Sequence, residues 1–256
     1  MLGYAAHLRK QIQQGEICIA TAQNHLNGLN RTLAALRGDQ CVKIASPSKL
    51  LGLQRSSIRT RSPDGQDLQQ VKRVIAAPLE QQHHRVAAIV YLARVTGMRL
   101  REAILADLPR LQREAKRFGR INIQDGAKGG RSGASAPRWI AANEEVKEAL
   151  QMACHASPAS SRNLLAQGES YATFLQQTVR PAGELLQRQG VKGFHELRAA
   201  YACKRYEQLT GHDAPVNGGH CYRMDHDLDR WARQRISAEL GHNRVDVVST
   251  YIGGRT

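Results

Sequence analysis

Long apolar runs are missing from this chain, and so are the cysteine pairs that would staple a small fold or hold a zinc ion. No stretch approaches the length a helix needs to cross a bilayer, and no apolar segment follows Met1, so neither a membrane span nor an export signal is expected. Cys18, Cys41, Cys154, Cys203 and Cys221 are odd in number and scattered, without a Cys-x-x-Cys pair. That argues against a disulfide framework or a zinc ribbon and fits a reducing cytoplasm. Acidic residues are also scarce. Only 22 Asp and Glu stand against 37 Lys and Arg, which leaves a formal charge of +15 and points to a polyanionic partner.

The 256 residues suffice for one large domain with a small one beside it. Basic charge is front-loaded: the first 65 residues hold nine Lys or Arg and three Asp or Glu. Tyr4 to Gln14 and Ala20 to Leu36 have helical spacing, with Leu26, Leu29, Leu33 and Leu36 as an apolar stripe and Gly38 as its stop. Residues 55 to 65 lose that period and gain Ser, Pro and Gly, which marks a linker made basic by Arg55, Arg59 and Arg61. Leu68 to Ala77 and Gln81 to Val95 are helical again, the second with Val86, Ile89, Val90 and Ala93 on a buried face. Sheet signals are few: Phe118 to Ile123 alternates, and Arg138-Trp-Ile-Ala resumes an extended pattern after a Gly/Ser-rich interval. Asn143 caps a further helix, and Ser170 to Gln189 is helical with Pro181 inside, where a kink or break is expected. The fold class is therefore mainly α with a small antiparallel β-sheet (α+β).

Three segments carry the chemistry: Thr96-Gly-Met-Arg-Leu-Arg-Glu102, His195-Glu-Leu-Arg198, and the closing Ile236-Ser-Ala-Glu-Leu-Gly-His-Asn-Arg-Val-Asp-Val-Val-Ser-Thr-Tyr251. Gly97 permits a sharp turn that aims Arg99 into a cleft, and Glu102, three residues on, shares its helical face and can orient the guanidinium. Arg101, two positions away, faces elsewhere and reads as a surface or DNA-backbone arginine. His195 and Arg198 are three apart at a helix start, so both can address one anion. One helix through both His242 and Tyr251 would put them on opposite faces, so Gly241 must end a helix and Asn243 cap a second.

Two arginines, two histidines and a tyrosine in this order resemble the tyrosine recombinase (phage integrase) family, over roughly residues 75 to 252. The resemblance implies a catalytic domain at 75–256 preceded by a short helical, DNA-clamping domain at 1–61, with a linker region at 62–74 and an insertion at about 211–230. It also implies that the chain cuts and rejoins double-stranded DNA at specific sites through a 3′-phosphotyrosyl link, with no cofactor and no metal, while assembled as a tetramer on DNA. Arg99 and Arg198 would clamp the phosphate, and Tyr251 would attack it. A phenol ionises only near about pH 10, so it needs a proton acceptor, for which His195 is the candidate. His242 would hydrogen-bond a phosphate oxygen. Lys128 would protonate the leaving 5′ oxygen, with Arg131 competing for that place on the same long hairpin loop. Arg55, Arg59, Arg61, Arg101 and Arg131 would touch the DNA. Two readings compete: a type IB topoisomerase-like relaxing or resolving enzyme, and a DNA-binding module with a degenerate site. Within the insertion, His212, His220, Cys221 and His226 invite a metal, but their spacing matches no zinc pattern and a loop is expected.

Overall fold

The computed structural model describes residues 2–39, 41, 45–76, 83–127, 137–219, 225–242 and 244–255. The chain divides into two compact units, Met1–Ser57 and Ile58–Thr256.

The smaller unit has three helices, α1 (Leu2–Gln13), α2 (Ile19–Arg37) and α3 (Pro47–Leu51). Its core is Leu8, Ala22, Leu26 and Leu51. Gly38 ends α2 in the left-handed region at φ 71°, donating its N–H to the Ala34 carbonyl, the geometry that makes glycine the favoured stop. The leucine stripe is only partly core. Leu26 is buried, Leu29 and Leu33 are half-buried, and Leu36 is 80% exposed. At about 1.5 Å per residue the 19-residue α2 runs well past the 12-residue α1 it packs against, and exposure rises toward its C-terminal turn.

The larger unit is built around α5 (His84–Thr96). Sequence periodicity gives that helix one buried face, yet every residue from Val86 to Thr96 is buried, because α4 (Leu68–Ala76), α8 (Glu144–Ala156) and α11 (Phe194–Thr210) pack around it. Even Arg94 is enclosed: its guanidinium donates to the carbonyls of Gly65 and Gln66 at 2.6 and 2.7 Å. After α5 come α6 (Leu100–Leu105), α7 (Leu108–Phe118) and an antiparallel hairpin of β1 (Arg120–Asn122) and β2 (Trp139–Ala141), in the register Arg120 opposite Ala141 and Asn122 opposite Trp139. Lys128 and Arg131 lie outside the described residues.

Pro181 does not break its helix but changes the turn before it. The segment runs from α9 (Tyr171–Phe174) through a π-helical turn at Leu175–Val179 into α10 (Arg180–Arg188), since proline offers no N–H to the preceding turn and the ladder must widen to accommodate it.

Residues 58 to 67 contain no helix or strand but are tied to the larger unit. The Arg59 N–H donates to the Ser249 carbonyl at 2.9 Å, Ser62 Oγ to the Val216 carbonyl at 3.1 Å, and the amides of Gln66 and Asn217 bond each other twice, at 2.6 and 2.7 Å. Arg59 turns its guanidinium onto Glu196, and that carboxylate also accepts the Asp64 N–H at 3.2 Å.

The polar stretch at 211–230 is not a loop throughout: Pro215–Asn217 forms a 3-10 turn, and α12 (His226–Glu239) takes in its last five residues. Asp225 caps α12 by accepting the Asp227 N–H, and Asp229 is buried with Arg233 and Tyr206, so its charge is internal and paired. His220 and Cys221, part of the metal idea, lie outside the described residues. A 3-10 turn at Val245–Val248 leads into the last helix, α13 (Ser249–Ile252).

Candidate active site

Arg99 is placed by a turn. Gly97 caps α5 at φ 64°, and a Cβ there would stand 2.5 Å from Tyr201 Cδ1 and 2.9 Å from Leu240 Cδ2, so both the backbone angle and the space require glycine. Arg99 is thereby the N-cap of α6. Glu102, in the first turn and fully buried, accepts the Arg99 backbone N–H at 2.7 Å and its Nη1 at 2.6 Å, which fixes the guanidinium. Burial opposes ionisation of Glu102, but Arg138, with Arg99 beside it, holds the carboxyl below the usual range.

Arg198 enters from the first turn of α11 and is 1% exposed. It donates through Nη1 to the Gly97 carbonyl, through Nη2 to the Leu240 carbonyl and through Nε to Tyr251 Oη at 3.2 Å. Burial first, then Arg138 and Arg99, push it down to about 10, which leaves it a cation at neutral pH.

His242 arrives on the corner after α12. Its N–H donates to the Ser237 carbonyl, while Ser237 Oγ donates to the Arg244 carbonyl and accepts the Arg244 N–H, each at 2.9 Å. Ser237 is buried and staples the corner, and nothing in the sequence pattern marks it beyond its helical position. Asn243, expected as a cap, lies outside the described residues. His242 Nε2 stands 2.9 Å from Tyr251 Oη, 3.3 Å from Arg198 Nη2 and 3.5 Å from Arg99 Nη2. A guanidinium only donates, so Nε2 must carry the lone pair, and Tyr251 then donates to it. Burial, Arg198, Arg99 and Arg138 push His242 down to about 4, so the imidazole is neutral near pH 7.

Tyr251 is 4% exposed on α13, with Val248 buried beside it. His195 packs against its ring at a centroid distance of 5.3 Å, the two planes inclined at 40°, with a pKa lowered by burial and then by Arg198. Sequence reasoning pairs the phenol with His195, whereas in this structure the hydrogen-bonded imidazole is that of His242. Arg99, His195, Arg198, His242 and Tyr251 thus meet in one place, contributed by three separate helices and a corner.

The other sequence candidates are dispersed. Arg55, Arg61 and Arg101 are exposed, Arg101 lying over the Tyr171 ring at 5.6 Å, while Arg59 is engaged with Glu196. Two tyrosines near the site are committed elsewhere: Tyr201 donates to Glu239 at 2.8 Å and Tyr206 to Asp229 at 2.6 Å, both buried. One residue that sequence reasoning passes over is Arg138, read only as the start of a strand but 5% exposed and bonded to Glu102 at 2.7 Å behind Arg99.

Comparisons with known proteins bear on the family and the fold of the chain. The family model described as Integrase matches residues 57–204, more than half of the chain. That span includes Arg99, His195 and Arg198; His242 and Tyr251 lie beyond it and join the others only in space. No curated protein sequence matches. Among solved structures, the Tn1549 transposon integrase in complex with circular intermediate DNA is 14% identical, with a TM-score of 0.55 over 100% of this chain and 82% of that one. A variant of that integrase with another circular intermediate DNA is 15% identical at TM-score 0.57, over 100% of this chain and 82% of that one. A third, with transposon right end DNA, is 14% identical at 0.54, over 100% of this chain and 81% of that one. At these identities the likeness is one of fold. With the family match across most of the larger unit, the chain belongs to the integrase family, the tyrosine recombinases.

Proposed function

We propose that this chain is a site-specific DNA recombinase that breaks and rejoins DNA through Tyr251. The observation that carries the reading is the position of Tyr251 Oη, between Arg198 Nε at 3.2 Å and His242 Nε2 at 2.9 Å, with Arg99 reaching the same imidazole. A phosphodiester repels nucleophiles, and attack builds charge on its two nonbridging oxygens. Arg99 and Arg198 offer them planar, permanently charged donors, which favours the transition state electrostatically. Tyr251 Oη bonds to phosphorus, the bond from phosphorus to the 5′ oxygen breaks, and the phenolic proton passes to a neutral imidazole. His242 is the acceptor that the hydrogen bond favours, with His195 beside it. Lys128 is the proposed donor to the departing 5′ oxygen. The 3′-phosphotyrosyl link conserves the bond's energy, so a 5′ hydroxyl from a second duplex can reverse the step without an external energy source. Exchange between two duplexes requires more than one copy, and we assign DNA clamping to the basic N-terminal region, 1–61, and its linker.

The test is a nicked duplex whose short leaving strand diffuses away, so that religation lacks its hydroxyl. The intact chain is expected to become linked to the DNA 3′ end, and Tyr251→Phe to bind the DNA without forming the adduct. An adduct that survives Tyr251→Phe overturns the assignment.

A further inference from the structure

The chemistry above gives no part to Arg138, yet the residue is enclosed directly behind the site. Its backbone N–H donates to Asn122 Oδ1 at 2.9 Å, which locks it to the neighbouring strand. Its guanidinium donates Nη1 to Glu102 Oε2 at 2.7 Å, Nη2 to the Gly97 carbonyl at 3.2 Å and Nε to the Glu239 carbonyl at 2.5 Å. Each acceptor stands behind a different group of the site. Glu102 is the carboxylate that holds Arg99, and the Gly97 carbonyl also receives Arg198. Glu239 ends α12 three residues before His242, and a Cβ on Gly241, in that same corner, would stand 3.1 Å from Arg138 Cδ.

Burying a guanidinium is unfavourable unless its donors are satisfied and its charge is countered. An apolar side chain could fill this space without that demand, but it could not tie three elements together by hydrogen bonds. We propose that Arg138 is a positioning residue for strand cleavage, fixing Glu102 and the Gly97 and Glu239 corners, and through them the Arg99 guanidinium and the His242 imidazole. The proposal rests on the recombinase reading above.

Arg138 also contributes charge. The groups facing His242 are Arg99 and Glu102 on α6, Arg138 ahead of β2, Arg198 on α11 and the Tyr251 hydroxyl on α13, with His195 against the Tyr251 ring at a centroid distance of 5.3 Å. Three of them are cations and one is a carboxylate. Removing one cation raises the pH at which His242 takes up a proton.

Two substitutions separate geometry from charge. Arg138→Lys keeps the cation but loses the planar fork, whereas Arg138→Met keeps an unbranched apolar stem and loses both. On the nicked duplex, with the full chain, Arg138→Lys is expected to bind DNA within about twofold of the parent and to form the adduct about a hundredfold more slowly, the scale of loss for a small misplacement of reacting groups. Its acid limb of rate against pH should not move. Arg138→Met is expected to be at least as slow, with the acid limb displaced to higher pH. A parent chain that forms no adduct defeats the recombinase reading, and this one falls with it. A parent that forms adduct beside a folded Arg138→Lys of equal rate overturns the positioning role alone. If Arg138→Met does not fold, Arg138→Lys decides by its rate; if neither folds, the residue serves the fold as a whole and the proposal is withdrawn.

Discussion

The hydroxyl of Tyr251 occupies a donor that a phosphate would need. It accepts from Arg198 and donates to His242, so a phosphodiester entering the site must replace one bond while the other becomes the route for the proton. This makes the two histidines unequal. His242→Ala removes the acceptor bonded to the phenol and is expected to slow adduct formation by about a hundredfold or more, the range of positioned acid–base groups. His195→Ala removes a ring packed against the phenol without a hydrogen bond to it and is expected to cost less; the reverse order in single-turnover rates would return the proton to His195. The pH dependence has a definite sign. An imidazole accepts only when neutral, and His242 is pushed down to about 4, so cleavage should persist as pH falls below about 6.5 and fail on approach to 4. Stability follows the same direction: the unfolded chain takes up this proton near about 6.5 while the folded chain resists it, so the folded state is favoured above that pH and weakens as pH falls toward 4. Thermal melts of parent and His242→Ala across that window check the second point, and the variant should lose part of the acid sensitivity.

At the scale of elements, sequence and structure agree where a residue announces its own constraint. Gly97 and Gly241 break helices at the places where Arg99 and His242 are needed, and Pro181 remodels the helix that contains it. What the sequence did not make legible is partnership across the chain. Arg138 has the pattern of an ordinary strand residue, and only the packed structure reveals Glu102, Gly97 and Glu239 around it. The start of α12 is not legible because Asp225, Asp227 and Asp229 resemble a solvated acidic loop, although the first caps the helix and the last is buried with Arg233. Leu36 has helical spacing yet is 80% exposed, while Leu33, one turn before it, is half-buried. The same limit applies to Arg59, basic and linker-like in sequence but paired with Glu196 in the fold, two residues before Arg198. Glu196→Gln removes the charge that Arg59 and the Asp64 N–H converge on. It is expected to destabilise the chain by about 1–3 kcal/mol in urea unfolding, the range for a hydrogen-bonded charge left without its partner. A change within error would mean that the strap is held by its backbone bonds alone.

For the whole molecule the governing quantity is charge. Of the +15 total, Met1–Ser57 carries seven Lys or Arg against two Asp or Glu, and has its own small core. The larger unit therefore retains most of the cationic surplus together with the candidate site. Counterion release makes the log of DNA affinity fall linearly with the log of salt concentration, with a slope of about −0.9 for each phosphate neutralised on a duplex. Every basic residue of the smaller unit that touches a phosphate thus adds nearly one to the slope. Removing residues 1 to 57 should flatten it, by up to about 6 if all seven take part. The truncated chain should also bind more weakly at every salt concentration, and circular dichroism establishes that its helices persist. The two measured quantities separate two roles. A flatter slope with residual adduct formation on a nicked duplex would make the smaller unit a clamp that supplies affinity while the larger unit performs the chemistry. An unchanged slope would mean that residues 1 to 57 neutralise no phosphates, and the basic charge at the start of the chain would then require another explanation.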